Sequence, residues 1–155
     1  MIDLFDRTIV AWFKKVEVPL ARFALFIVYF WFGLLKLVGV SPAEPLVEAL
    51  FNKTLVFLPF GAFYVSFAVF EMAIGVLFLV RGWERIALVL LGLHVVTTAL
   101  PLMFLSELTW QGWFTPTLEG QYIIKNILII AAAVVVGSRL VPRSPSRPIP
   151  GSGLA

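Results

Sequence analysis

FGAFYVSFAVFEMAIGVLFLV, residues Phe60–Val80, decides the fold. A run of this length, at about 1.5 Å per residue in a helix, is enough to cross the hydrocarbon core of a bilayer. One carboxylate, Glu71, stands near its middle. A single acid does not prevent insertion, but a formal charge at that depth needs partners, and other segments have to supply them.

The whole chain is built to the same composition. Of its 155 residues 61% are hydrophobic and 14% charged, with a mean hydropathy of +1.00. A soluble domain is closer to half apolar and a quarter charged. So small a globule cannot hide the excess, because much of its surface stays exposed. Lipid is therefore the expected solvent. The net charge of +3 is spread beside apolar runs and forms no single patch, so nucleic acid is not an expected partner. With no cysteine the chain forms no disulfide and cannot exchange thiols.

Outward from Phe60–Val80, three further runs read as spans. Residues 1–20 precede them and read as an interfacial helix rather than a secretory signal, since Asp3 and Asp6 occupy the place of a basic n-region. Ile2, Phe5, Ile9, Trp12, Phe13 and Val16 recur at helical spacing, with Arg7, Lys14 and Lys15 mostly on the other side. That pattern predicts an amphipathic helix in the membrane interface, broken near Pro19. The bundle proper spans 21–140, with spans at about 22–40, 60–80, 86–105 and 118–140. Pro45–Phe57 reads as a short helix on the outer interface. Trp110 and Trp113 suit a headgroup layer, and Thr115-Pro116 reads as a helix start. Residues 141–155, rich in Pro, Ser, Gly and Arg, read as a disordered tail.

The fold class is thus all-α: an integral membrane four-helix bundle with an amphipathic N-terminal helix. Nine bases (Arg7, Lys14, Lys15, Arg22, Arg81, Arg85, Arg139, Arg143, Arg147) flank one side of the spans, and Lys53 alone flanks the other. This asymmetry predicts cytoplasmic termini.

The polar residues inside the spans are the candidate site. Counted at about 1.5 Å per residue from the basic ends, Lys36 and Lys125 lie roughly 21 Å deep, Glu71 roughly 15 Å and His94 roughly 13–14 Å. Charges near a helix centre cost about 2.5–3.5 kcal/mol each, so they are expected to face inward and pair. Four stripes agree: Tyr29, Gly33 and Lys36; Glu71 and Gly75; His94, Thr97, Thr98 and Pro101; Tyr122, Lys125, Ile129 and Ala132. The expected site is a Lys36–Glu71–Lys125 cluster, with His94, Asn126, Thr97, Tyr122 and Tyr29 around it. Blander readings stand beside it. Either lysine can snorkel to the surface, Glu71 can be protonated, His94 can be a satisfied core residue, Thr97 and Thr98 can bond back to their own helix, and Tyr29–Phe32 can be packing or lipid-facing surface.

One histidine and no cysteine leave no zinc, iron–sulfur or bis-His haem site, so no metal is expected. There is no P-loop and no dinucleotide turn. Acid–base or ion-pair chemistry is left, with binding of an anionic or quinone-like head group.

GLLKLVG (Gly33–Gly39), FEMAIGVLFLV (Phe70–Val80) and TLEGQYIIKNILII (Thr117–Ile130) resemble the DoxX-like superfamily, closest to its RclC/YkgB-type inner-membrane branch. The shared pattern is Lys late in span one, Glu then Ile-Gly in span two, and an aliphatic-Lys-Asn step early in span four: here Lys36, Glu71 and Lys125-Asn126. The resemblance implies a four-span bacterial inner-membrane protein linked to redox stress or to a membrane oxidoreductase system. It carries over no catalytic roles and leaves open whether the isolated chain is an enzyme, leaning to no. A quinone is the cofactor it suggests, a membrane or periplasmic redox protein the partner, and it leaves room for a homo-oligomer. Two other classes fit the residues: a non-catalytic scaffold whose cluster holds the bundle together, and a small transporter or proton path.

Overall fold

The structure is a computed structural model and describes residues 2–55 and 57–142. Helix α1 runs Ile2–Leu37, α2 Glu44–Thr54, α3 Phe60–Leu79, α4 Glu84–Ala99, α5 Pro101–Phe104, α6 Ser106–Thr109, α7 Leu118–Ile124 and α8 Asn126–Gly137. A two-stranded hairpin, β1 (Trp110–Gly112) and β2 (Thr115–Pro116), precedes α7. Four helical stretches are long and apolar enough to cross a membrane: Phe5–Leu37, Phe60–Leu79, Glu84–Phe104 and Leu118–Gly137. The chain is an all-α bundle of a multi-pass membrane protein.

The four helices close into a ring, α1 on α3, α3 on α4, α4 on α8 and α8 on α1, with α1–α3 the most extensive interface. Helix α3 shows why. It is apolar all round, as a membrane helix is. Its buried residues lie on one side: Tyr64, Ala68, Glu71, Gly75 and Phe78, alternating four and three residues apart, with Ile74 beside them. Val65, Val69, Val76 and Leu79 stay exposed on the other faces, where lipid is the solvent that tolerates them. Leu25, Tyr29, Ile74, Phe78, Ala87, Leu91, Ala133 and Val136 form the shared core.

Two glycines set the α1–α3 spacing. A Cβ on Gly33 would lie 2.7 Å from the Ala68 carbonyl oxygen, and one on Gly75 would lie 2.9 Å from the Phe30 nitrogen. Small residues let the backbones approach this closely, which brings side chains on α1 within reach of Glu71.

The termini end of the bundle is tied by arginine. Arg22 donates to the Phe78 carbonyl at 2.6 Å and to Glu84 at 2.8 Å. It thus caps the C-terminus of α3 with positive charge and meets the acid in the first turn of α4, both favoured by the helix dipoles. Arg139 pairs with Glu17, and Arg85 donates to the Val141 carbonyl. At the other end, which we call the α2 end, Lys53 donates to the Phe104 carbonyl at 2.6 Å and lies 3.7 Å from Glu107.

Four boundaries differ from the sequence reading. Helix α1 does not break at Pro19; it continues through it for 36 residues. Pro19 is exposed, so the carbonyl that loses its N–H partner is free to reach water. At about 54 Å, α1 is longer than the roughly 30 Å hydrocarbon core, so its first turns lie outside it. The third span is interrupted, because Pro101 has no N–H and the Leu100 N–H closes a tight turn on the Thr97 carbonyl at 3.3 Å. The fourth is interrupted at Lys125 and its helix ends at Gly137. Its start is Thr117, not Thr115: the Thr117 hydroxyl accepts from the Gly120 N–H at 3.1 Å and donates to the Leu108 carbonyl at 2.7 Å, while Thr115 and Pro116 are drawn into the hairpin. The tail expected to be disordered lies outside the described residues from 143 onward.

Candidate functional site

Three spans each bring an ionisable side chain to one point. Tyr29 and Lys36 are seven residues apart on α1, with Gly33 between them at the close crossing, so both face α3. Glu71 sits mid-way along α3 and His94 on α4. Lys36 Nζ donates to Glu71 Oε2 at 2.7 Å. His94 Nε2 lies 2.8 Å from Glu71 Oε1. His94 Nδ1 lies 3.2 Å from the Tyr29 hydroxyl. All four residues are buried, at 3–7% exposure. The level difference between Lys36 and Glu71 that the helix rise implies is bridged by the lysine stem.

Aromatic rings wall the site. Phe67 stacks on the His94 imidazole at 5.3 Å with 13° between planes, and Tyr29 meets it edge-on at 5.0 Å. Lys36 Nζ also lies 5.7 Å over the Phe67 ring. In such surroundings an unpaired charge is expensive, and a compensated one is held firmly. Lys36 and Glu71 compensate each other, so with neutral His94 the cluster carries no net charge.

The heavy-atom geometry suits two proton counts. With neutral His94, Nε2–H donates to Glu71 and Nδ1 accepts from the Tyr29 hydroxyl. With protonated His94, both ring N–H groups donate, and the Tyr29 oxygen accepts. The first count pairs every one of these groups; in the second the Tyr29 O–H gives up His94 Nδ1 as its acceptor.

The remaining expected site residues fall elsewhere. Lys125 is exposed and lies 5.1 Å over the ring of Tyr122, itself 62% exposed. The Lys36–Glu71–Lys125 cluster is therefore corrected to Lys36–Glu71–His94–Tyr29. Counting helix rise gives depth but no azimuth, and on α8 the inward stripe is Asn126, Ile129, Ala133 and Val136, one residue round from Lys125. Asn126 Nδ2 reaches the Thr98 hydroxyl at 3.4 Å, away from Glu71. Thr97 and Thr98 donate to carbonyls of their own helix, at 2.8 and 3.1 Å. Tyr29 is no lipid-facing ring but a member of the site. Phe67, four residues before Glu71, and Tyr64, seven before it, escaped notice in the sequence; the four-and-seven spacing from the one acid was their signal. No group of three or more acidic or histidine side chains able to hold a metal occurs among the described residues.

Comparison with known proteins identifies no relative: no family model, no curated protein and no solved structure matches this chain. The functional reading therefore rests on the geometry.

Proposed function

We propose that this chain is a DoxX-like protein of a bacterial inner membrane, with both termini in the cytoplasm. Its buried Lys36–Glu71–His94–Tyr29 chain exchanges a proton with a small or quinone-like head group on behalf of a redox partner. The observation that carries this is the unbroken line of buried contacts from Lys36 through Glu71 and His94 to the Tyr29 hydroxyl. Reduction of a quinone consumes protons as well as electrons, and a buried imidazole backed by a carboxylate is a suitable donor. In this reading the electrons come from the partner. The excess of basic residues beside one set of span ends supports the orientation.

The test uses the full chain in lipid nanodiscs and a short-chain benzoquinone as probe. Glu71→Gln and His94→Phe are expected to weaken probe binding at least tenfold and to sensitise cells to oxidants. Unchanged binding and unchanged oxidant resistance in both variants overturn the proposal.

A second reading has its own support. Each Glu71 oxygen already has a partner within the chain, as expected of a staple that only holds three helices together. That scaffold reading predicts that Lys36→Met with Glu71→Leu and His94→Leu folds and leaves every redox phenotype intact.

A further inference from the structure

We propose that the β1–β2 hairpin is a two-ring wedge, by which Trp113 and Phe114 sink into the lipid headgroup layer at the α2 end of the bundle. The partner of this surface is the bilayer itself.

The base of the hairpin is braced. Thr109 is fully buried. Its carbonyl accepts from the Thr117 N–H at 3.0 Å, and a Cβ on Gly120 would run into the same carbonyl. The Thr117 hydroxyl donates to the Leu108 carbonyl at 2.7 Å. The Trp110 indole donates to the Leu102 carbonyl at 3.1 Å, so this ring is taken up in holding the hairpin to α5. The tip is different. Trp113 is 92% exposed and Phe114 82%, and their rings meet at 5.6 Å. Phe114 has φ of 56°, a left-handed backbone that a bulky residue adopts where the turn around it imposes it. A braced loop thus holds two large rings outward, away from any core of its own.

Their level in the membrane chooses the partner. Gly120 lies in the first turn of α7, at the outer end of the fourth span, Leu118–Gly137. The Thr109 carbonyl packs on that turn, so the hairpin springs from the edge of the hydrocarbon core. Three extended residues reach about 10 Å, and the headgroup layer is roughly 5–7 Å thick on each side. The tip therefore stands in that layer or at its surface. The neighbouring surface is lipid-facing already: Met103 and Phe104 before the hairpin and Leu118 after it are exposed. No residue from Leu108 to Leu118 carries a charge. An exposed loop without charge, with an indole N–H beside an apolar ring, matches a layer that is wet on one side and apolar on the other. A knob for a second protein would be expected to carry a polar rim, and here the rim is apolar.

The chain has five tryptophans, so uniform 5-fluorotryptophan gives five fluorine resonances, and Trp113→Phe assigns one. The full chain is placed in nanodiscs with either a lipid spin-labelled near its glycerol or a water-soluble gadolinium chelate. The Trp113 resonance is expected to lose more intensity to the labelled lipid than to the chelate. Phe114→Asn keeps a residue that accepts the left-handed backbone but removes the second ring. It is expected to lift the tip, so that the loss to the chelate grows and the loss to the lipid shrinks. A larger loss to the chelate than to the lipid in the parent chain puts the tip in water, within reach of a protein partner, and overturns the proposal. Losses that Phe114→Asn leaves unchanged overturn the two-ring wedge as well.

Discussion

Glu71 and His94 meet at 2.8 Å across α3 and α4, while the other oxygen of the same carboxylate holds Lys36 of α1. One acid therefore joins three membrane helices. A carboxylate so placed has no water to turn to, and its removal exposes whatever it compensates.

Glu71→Gln keeps the shape and an acceptor for His94 but leaves the Lys36 ammonium buried and unpaired. Breaking a buried pair from one side costs about 3–5 kcal/mol. Adding Lys36→Met removes the stranded charge, while the amide introduced by Glu71→Gln can still accept from His94. The double variant is expected to regain most of the loss. Unfolding midpoints of the two variants in nanodiscs check this; equal midpoints would show that Lys36 escapes to the surface.

Tyr29→Phe removes only the group facing His94 Nδ1. Hydrogen bonds between membrane helices are worth about 0.6 kcal/mol on average and rarely more than about 1.7, so a loss of roughly 1 kcal/mol is expected. Unfolding midpoints of the parent and the variant in the same nanodiscs read this loss, and equal midpoints would show that the Tyr29 hydroxyl does not help to hold His94.

The spans were legible because apolar length is a property of the sequence alone: Phe60–Val80 needs no partner to be recognised. Glu71 was legible for a related reason, since a charge in such a run has to be answered. The answering residues were only half legible. Depth follows from counting residues, so Lys36 and His94 were placed at reachable levels. Azimuth depends on how each helix is rolled by its packing, and the choice between Lys125 and Asn126 turns on about 100° around one axis. The run through Pro19 was hidden because a proline stops a helix only where its neighbours cannot satisfy the freed carbonyl. The Thr117 cap was hidden because its hydroxyl is fixed by Leu108, nine residues earlier.

Lys125→Met checks the correction to the site. Lys125 touches only an exposed tyrosine ring, and exposed cation–ring contacts are worth about 0.5–1 kcal/mol. Stability is expected to change by no more than that, with quinone-probe binding unchanged. A tenfold fall in binding, measured in the same nanodiscs, would return Lys125 to the site.

Gly33→Ala tests whether the cluster depends on the closeness of α1 and α3. The added methyl would lie 2.7 Å from the Ala68 carbonyl oxygen and from a Met72 side-chain carbon. The methionine can swing away; the backbone carbonyl cannot. The helices have to part by several tenths of an ångström, and overpacking of this kind costs about 1–3 kcal/mol. The strain falls one turn from Lys36, so the Lys36–Glu71 contact lengthens as well. Gly92→Ala is the control, because its Cβ meets nothing within 4 Å. Gly33→Ala is expected to lower the unfolding midpoint and weaken the probe, with Gly92→Ala leaving both in place. If Gly33→Ala is as stable as the control, close α1–α3 packing does not position the acid.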